Sequence, residues 1–319
     1  MWRGARRACA TAIAMVLAAG LSTATEADEF INVLTGGTSG VYYPIGVALS
    51  NLYTEAIPGS RPSVQATKAS VENLLLLQQG KGEVAFTLGD SLVFARDGNE
   101  EAGFKTKLDK LRGIAAIYPN YIQVVATKAS GIKTLADLKG KRLSVGAPKS
   151  GTELNARAIL GAAGLSYKDL GKIEYLAFDE SIELMKNRQL DATLQSAGLG
   201  VASIRDLAAS VPITVVEIPA AVVDKAGAPY VKGVIPTGTY TGQTADVPTA
   251  TVVNYLVTRE GVSADTAYGM TKAMFEHLGD LAASHSAAKG IQLAHALDGM
   301  PIPLHPGAER YYREKGLLK

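Results

Sequence analysis

The fold is decided first by residues 30–57, which read FINVL-TGGTSG-VYYPIGVALSNLYTEAI. Residues 30–34 form a short apolar run that is typical of a buried strand, and the Gly-rich residues 35–40 interrupt it. Residues 41–57 carry apolar side chains at helical spacing, and Pro44 lies early enough to be tolerated in the first turn. The stretch therefore predicts a strand, a loop and a helix.

A second unit of the same kind occupies residues 143–163, with a strand over 143–145, a loop over 146–151 and a helix over 152–163. Ser150 and Glu153 fit a capping box in which Ser150 is the N-cap. Each unit is followed by a helix and a strand: residues 70–79 and 83–88 after the first, and 181–188 and 191–194 after the second. Two α/β blocks of matched order predict two lobes of similar topology.

The remaining segments connect and extend these blocks. Residues 114–126 are β-prone, contain one proline and are predicted to cross between the lobes, and residues 250–258 are predicted to return the chain. Residues 263–281 and 287–297 are predicted amphipathic helices, followed by a loop over 300–307. The predicted division is a signal peptide over 1–27, a first part of lobe 1 over 28–118, lobe 2 over 119–250 and a return to lobe 1 over 251–319.

The N-terminus has the pattern of a secretory signal peptide. Three arginines among the first seven residues precede an uncharged apolar run over 10–21, which is shorter than the about 20 residues that a membrane span needs. Small residues allow cleavage after Ala24 or Ala27. The alternative to a signal peptide is an amphipathic or membrane-anchoring N-terminal segment. Cleavage after Ala27 removes Cys9 and leaves 29 basic and 29 acidic residues. We therefore expect a neutral, cysteine-free protein that is secreted into an oxidising compartment.

Composition excludes several classes of protein. The chain has 319 residues, 47% of them hydrophobic and 19% charged, with a net charge of +2. These values exclude a disordered chain and a polytopic membrane protein, and they give no electrostatic basis for binding nucleic acid. A single cysteine excludes a disulfide scaffold and a thiolate metal cluster.

The sequence offers little support for catalysis. It has no Gly-x-Ser-x-Gly motif, no phosphate-binding or dinucleotide-binding glycine motif, and no His-Glu-x-x-His pair among its four histidines. Acidic pairs such as Glu100-Glu101 are typical of solvated helix faces. We therefore expect no catalytic residue, no metal and no cofactor.

Binding is the better-supported class of function, because four short polar loops open predicted helices. The loops are Thr38-Ser39-Gly40, Ala69-Ser70-Val71, Gly89-Asp90-Ser91 and Ser150-Gly151-Thr152. A helix N-terminus presents free N–H groups at its positive end and can hold a carboxylate or phosphate. A single loop of this kind is more often a simple helix cap, whereas two such loops that face one cleft from two lobes would favour ligand binding. Tyr42, Tyr43 and Tyr118 either wall such a site or belong to the core.

Several longer motifs then carry a resemblance to a known family. They are Gly36-Gly37-Thr38-Ser39-Gly40-Val41-Tyr42-Tyr43-Pro44-Ile45-Gly46, Ser70-Val71-Glu72-Asn73-Leu74, residues 138–148 (LKGKRLSVGAP), Ser150-Gly151-Thr152-Glu153, residues 296–299 (ALDG) and residues 303–308 (PLHPGA). Together they resemble the TAXI class of substrate-binding proteins, which serve tripartite ATP-independent periplasmic (TRAP) transporters. The resemblance implies a type II periplasmic-binding fold, in which two α/β lobes joined by hinge strands enclose one ligand cleft.

The resemblance also implies roles for individual residues. Ser39, Gly40 and Tyr43 belong to the ligand loop of the first lobe, and Ser70 and Asn73 add side-chain contacts. Tyr118 is implied as a wall on the hinge side, and Ser150, Gly151 and Thr152 as the anion site of the second lobe. With the remaining candidates, the predicted ligand-binding residues are Thr38, Ser39, Gly40, Tyr43, Ser70, Asn73, Asp90, Tyr118, Ser150, Gly151, Thr152 and Ser196.

Two segments depart from the family pattern near the cleft. Lys68-Ala69 precedes Ser70 where relatives more often have glycines, and residues 87–90 lack the polar pair that commonly precedes the Asp. Lys68 either adds a positive charge that favours a dicarboxylate or points to solvent.

The resemblance predicts a monomeric receptor that captures glutamate, glutamine or a related dicarboxylate or keto acid. It would deliver this ligand to the membrane subunits of an ion-gradient-driven TRAP permease. The alternatives are a receptor for an ATP-binding-cassette (ABC) importer, a soluble ligand sensor on the same fold and, with less support, an enzyme on that fold.

Overall fold

The computed structural model describes residues 29–319, so the predicted signal peptide lies outside the described residues. Within them the strands are β1 (Glu29–Leu34), β2 (Ser60–Gln65), β3 (Val84–Leu88), β4 (Leu111–Thr127), β5 (Arg142–Ser144), β6 (Lys172–Glu174), β7 (Ala192–Ala197), β8 (Ile213–Val216), β9 (Val231–Ile235) and β10 (Val247–Arg259). The helices are α1 (Tyr42–Ala56), α2 (Ser70–Gln78), α3 (Gly89–Asp97), α4 (Gly151–Ala162), α5 (Phe178–Lys186), α6 (Ala202–Ser210), α7 (Ala220–Ala226), α8 (Ala264–Glu276), α9 (Leu278–Ser284) and α10 (Pro306–Glu314).

The strands form one mixed sheet in the order β2-β1-β3-β10-β4-β7-β5-β6, with β8 paired to β4 and β9 to β10. In one half β1 runs parallel to β2 and β3, and in the other half β5 runs parallel to β6 and β7. We call the half with β1–β3, α1–α3 and α8–α10 the first lobe, and the half with β5–β8 and α4–α7 the second lobe. This is the α/β fold with two lobes that the sequence predicts.

Two long antiparallel strands, β4 and β10, connect the lobes. β4 pairs with β10 from Leu111 to Tyr121, and from Tyr121 onward it pairs with β7. The predicted crossing segment is therefore a single strand that changes partners at Tyr121. Pro119 lies opposite Val253, next to a register shift, where a sheet tolerates a residue without an N–H group. The predicted boundaries at 118/119 and 250/251 fall inside β4 and β10 and stay a prediction.

Apolar side chains from facing helices fill each half of the sheet. In the second lobe, Leu143 and Val145 pack with Ile159 of α4 in a core that also contains Leu88 from the first lobe. A first-lobe core likewise contains Leu154 from α4. Each of these side chains is at most 7% exposed, so the two lobes share buried apolar contacts. Within residues 29–319 no helix is both long enough and apolar enough to cross a membrane.

Some predicted elements are wrong. The loop predicted at Gly89-Asp90-Ser91 is the first turn of α3, and β7 continues to Ala197, three residues beyond the predicted strand end at residue 194. Residues 287–297 contain short 3₁₀ turns instead of an α-helix. The predicted loop over 300–307 includes the start of α10, because His305 accepts a hydrogen bond from the Gly307 N–H group and Pro306 suits the first helical position.

The predicted N-cap of α4 is confirmed, but the capping box is not. The Ser150 hydroxyl accepts a hydrogen bond from the Glu153 N–H group at 3.1 Å. The Glu153 carboxylate instead accepts hydrogen bonds from Arg157 at 2.7 Å and from the Tyr167 hydroxyl at 2.9 Å. The Glu153 carboxylate is thus held by an ion pair with Arg157, one helical turn along α4, and by the Tyr167 phenol. In a capping box it would instead turn back to the Ser150 N–H group.

Candidate ligand-binding cleft

A cavity of about 110 Å³ lies where helices of the two lobes meet. It is lined by Gly36, Gly37, Gly40, Val41, Tyr42, Thr67, Lys68, Ala69, Ser70, Leu88, Asn120, Ala147, Ser150, Gly151, Thr152, Ala177, Phe178, Ser196 and Ala197. The space is below that of an apolar cavity of about 150 Å³ that binds benzene, so it suits a ligand of a few heavy atoms.

Four helix N-termini border this cavity. Val41 is the N-cap of α1, Ala69 of α2, Ser150 of α4 and Ala177 of α5, and all four residues line it. The first N–H groups of a helix have no partner within the helix and lie at the positive end of its dipole. Four such ends around one small space favour an anion, although Lys68 is the only basic side chain among the lining residues.

The loop before α2 has an unusual backbone. Ala69 has φ 69° and ψ −146°, a conformation that favours glycine, and its N–H group donates to the Thr67 hydroxyl at 2.9 Å. This is the segment in which the sequence lacks the glycines that are more common in the TAXI proteins it resembles. Lys149, just before α4, also has a positive φ of 62°. Backbone strain of this kind concentrates at functional sites, and here it lies just before α2 and α4, whose N-termini border the cavity.

The lobes touch across the cavity. The Glu72 N–H group of α2 donates to the Lys149 carbonyl at 3.2 Å, and Arg157 of α4 donates to the Glu101 carbonyl at 2.9 Å. A Cβ atom added to Gly151 would lie 2.7 Å from the Ser70 hydroxyl oxygen and 2.6 Å from Leu88 Cδ1. The structure therefore shows a closed arrangement of the lobes.

A chain of buried polar side chains runs beside the cleft through both lobes. Asn155 donates to Asp90 at 2.5 Å and accepts a short hydrogen bond from the Ser196 hydroxyl. Ser196 accepts a hydrogen bond from Asn120 at 2.9 Å.

At its other end this chain continues from Asn120 to Asn254, whose amide donates to the Asn120 side-chain oxygen at 3.5 Å. Asn254 accepts a hydrogen bond from the Tyr42 hydroxyl at 2.6 Å and donates to the Tyr118 carbonyl at 2.9 Å. The Tyr42 ring stacks on Phe86 with centroids 4.9 Å apart. Burial raises the pKa of Tyr42, so this hydroxyl stays neutral and can act as a hydrogen-bond donor to Asn254.

The structure brings six of the predicted site residues to the cavity. They are Gly40, Ser70, Ser150, Gly151, Thr152 and Ser196. Ser70 also accepts a hydrogen bond from the Leu88 N–H group at 3.1 Å, which fixes the start of α2 against the end of β3.

The other six lie elsewhere. Thr38 is exposed, Tyr43 is partly buried on α1, and the hydroxyl of Ser39 is buried without a hydrogen-bond partner among the described residues. Asn73 is fully buried and donates to the Thr35 carbonyl at 2.7 Å and the Phe86 carbonyl at 2.8 Å, which makes it a brace between strands. Asp90 and Tyr118 are also fully buried, outside the cavity lining.

Sequence reasoning missed several lining residues. Asn120 follows Pro119 inside a mostly apolar run, and a polar amide at that position was a signal for a polar site. Phe178 was missed because α5 begins three residues before its predicted start. Leu88 lines the cavity from the end of β3, and nothing in the local pattern separates it from a core leucine. Among residues 29–319 no group of three or more His, Cys, Asp or Glu side chains is placed to hold a metal ion.

A two-lobed α/β fold with a cleft bordered by helix N-termini defines the type II periplasmic-binding class of fold. Comparison with known families agrees, and the chain belongs to the NMT1-like family, whose model matches residues 33–316.

Two solved structures illustrate the likeness. The alkanesulfonate-binding protein SsuA from Xanthomonas axonopodis pv. citri, bound to MOPS, is 15% identical with a TM-score of 0.51, covering 92% of this chain and 95% of that one. A putative L-cystine ABC transporter protein from Listeria monocytogenes is also 15% identical with a TM-score of 0.51, covering 83% and 98%. At this identity both matches show the fold alone.

Proposed function

We propose that this protein is a periplasmic solute receptor that captures a small anionic compound between its lobes and delivers it to a membrane importer. The observation that carries the proposal is the convergence of four helix N-termini on one cavity of about 110 Å³. The secreted chain is predicted to carry equal numbers of basic and acidic residues, so its net charge does not attract an anion. The helix dipoles at the cavity, together with Lys68, are therefore the proposed source of anion affinity.

The proposed mechanism is capture by closure. A carboxylate first meets the N–H groups of α1 and α2 in the first lobe, and α4 and α5 of the second lobe then complete the site. Hinge closure around a ligand is a known behaviour of periplasmic binding proteins, and β4 and β10 are the strands that would bend here. The ligand shifts the open–closed equilibrium by its preference for the closed form.

The proposed ligand is a small carboxylate, namely glutamate, glutamine or a related dicarboxylate or keto acid. The cavity of about 110 Å³ favours the smallest members of this class, and Lys68 among its lining residues supports an anion. A sulfonate offers similar anionic chemistry, and the similar Xanthomonas protein is an alkanesulfonate-binding protein.

The partner importer has two candidates. The motif resemblance supports an ion-gradient-driven TRAP permease. The similar Listeria structure supports an ABC importer more directly, since it is described as a putative L-cystine ABC transporter. Family membership and the composition of the cleft support a receptor in place of an enzyme.

The test is a thermal-shift screen of the secreted protein with amino acids, C4–C6 dicarboxylates, keto acids, alkanesulfonates and inorganic sulfate. A ligand that binds the native state at 100 times its Kd adds about 2.7 kcal/mol of stability, which gives a clear rise in Tm. Absence of a shift with every class would refute the receptor proposal. Uptake of the best compound by cells then separates the importers: an uncoupler blocks a gradient-driven permease first, whereas ATP depletion under a maintained gradient blocks an ABC importer.

A further inference from the structure

Asp90 is a buried carboxylate that the cavity lining does not include. It lies in the first turn of α3, in the first lobe, and its side chain is fully buried. It accepts hydrogen bonds from the Ser91 N–H group at 2.7 Å, from Asn155 at 2.5 Å and from the Tyr230 hydroxyl at 2.8 Å. These partners are neutral, so the carboxylate is hydrogen-bonded without a compensating cation.

The partners of Asp90 belong to both sides of the cleft. Asn155 lies on α4 and donates a second hydrogen bond to Tyr230 at 3.1 Å. Tyr230 packs in the core of the second lobe with Leu143 and Ile159. Two of the three residues that donate to Asp90 therefore reach it from the lobe opposite its own. Opening of the cleft would take both donors away and expose Asp90 to water.

We propose that Asp90, Asn155 and Tyr230 form a proton-sensitive latch between the lobes, in which protonation of Asp90 favours the closed form. The proposal rests on the receptor function in that it concerns regulation of the same cleft. The geometry distinguishes this latch from the ligand contacts, because Asp90 is not among the residues that line the cavity.

The direction of the effect follows from burial. In the closed form burial raises the pKa of Asp90 from 3.8 to about 6, although the hydrogen bonds from Tyr230 and Ser91 oppose the shift. In the open form water replaces the second lobe, and the pKa returns toward its ordinary value. The closed form then binds the proton more tightly, so the ratio of closed to open molecules is expected to rise about tenfold from pH 8 to pH 5.

The tyrosines that face Asp90 do not change their protonation state between pH 5 and pH 8. Tyr42 of α1 and Tyr230 face it, and burial raises the pKa of each phenol. Tyr255 of β10 packs beside Gly89 and has a pKa raised to about 12 by burial. The charged pair on α4, Glu153 with Arg157, is joined to Tyr167 instead.

The test measures the open–closed ratio by single-molecule fluorescence transfer without any ligand. Dyes are attached to Gln79→Cys at the end of α2 and Lys168→Cys in the second lobe, both exposed positions, with Cys9→Ser as background. The ratio is recorded from pH 8 to pH 5 for the wild-type background, for Asp90→Asn and for Tyr230→Phe. Asp97→Asn is the matched control, because Asp97 lies on the same helix and pairs on the surface with Arg96.

We expect the ratio of closed to open molecules to rise about tenfold from pH 8 to pH 5 in the labelled protein without further substitution and in Asp97→Asn. In Asp90→Asn we expect this ratio to stay constant. Tyr230→Phe removes a donor that lowers the pKa of Asp90, so its midpoint should move to higher pH, which a purely structural role would not produce. If Asp90→Asn does not fold, the Tyr230→Phe midpoint decides. A flat or reversed profile in the background, or an unchanged response in Asp90→Asn, overturns the latch. Since no ligand is used, these outcomes are independent of the ligand screen that tests the receptor function.

Discussion

Gly151 gives the most direct test of closure, because it lies at the first position of α4 and faces the opposite lobe. A methyl group there would come within 2.6 Å of Leu88 Cδ1 and 2.7 Å of the Ser70 hydroxyl oxygen, both on the first lobe. Contacts this short require something to move. Gly151→Ala is therefore expected to act as a wedge that destabilises the closed form without altering either lobe.

The expected size of the effect follows from the cost of overpacking. Extra methyl groups in well-packed sites cost about 1–3 kcal/mol. Here the cost applies only to the closed form, because the open form separates Gly151 from Ser70 and Leu88. A penalty of about 1–3 kcal/mol on the binding-competent state weakens ligand affinity about 5- to 150-fold.

The assay is isothermal titration of the compound that gives the largest thermal shift, with Gly161→Ala as the matched control. Gly161 lies on the same helix, and a Cβ atom added there meets nothing within 4 Å. Alanine in a helix interior adds about 0.5–1 kcal/mol of stability relative to glycine, so the control should bind normally and melt slightly higher. Gly151→Ala should melt near the wild-type temperature when no ligand is present.

The reasoning would be refuted by wild-type affinity in Gly151→Ala, since closure then does not bring α4 against Ser70. An equal loss of affinity in Gly161→Ala would also refute it, because α4 would then tolerate no added methyl group anywhere. A large fall in the ligand-free Tm of Gly151→Ala would locate the clash inside the folded lobes.

Three further predictions concern stability. Ala69→Gly should raise the free energy of unfolding in urea by about 1 kcal/mol, because φ 69° strains an alanine; an unchanged midpoint would contradict the strain. Asn73→Ala should lower that free energy by about 1–3 kcal/mol while ligand affinity stays normal, because it strands buried carbonyl groups outside the cavity. Hydrogen bonds from Arg142 lower the pKa of Asp191, so the Tm advantage of wild type over Asp191→Asn should be full at pH 7 and vanish as the pH falls below 3.8. A pH-independent difference would contradict this last prediction.

Local signals explain what the sequence could predict. The strand, loop and helix of residues 29–56 follow from an apolar run, a glycine cluster and helical spacing, all within 28 positions. The N-cap of α4 is a hydrogen bond between Ser150 and Glu153, which are only three positions apart in the sequence. The hinge strand β4 was visible because its apolar stretch is far longer than an ordinary strand.

Side-chain direction explains much of what the sequence could not predict about the site. Asn73 lies on the same helix face as Ser70, three positions on, yet its amide is directed to carbonyl groups of β1 and β3 and not to the cavity. Asp90 was predicted from its place in a polar loop, but the loop is a helix and the side chain points to the opposite lobe. A contact between residues 65 or 140 positions apart leaves no trace in the local pattern.

The proposed receptor needs two properties of the cleft, anion affinity and control of closure. Anion affinity can come from helix ends, which short glycine- and serine-rich loops encode and which sequence reasoning therefore finds. Control of closure requires residues from both lobes to meet, and here that meeting joins a carboxylate, an amide and a phenol that are scattered along the chain. Because an ionised carboxylate can only accept hydrogen bonds, Asp90 orients the Asn155 amide and, through it, the Ser196 hydroxyl at the cavity wall. A change in the charge of Asp90 would therefore reach the ligand site through two hydrogen bonds, without any movement of the loops that hold the anion.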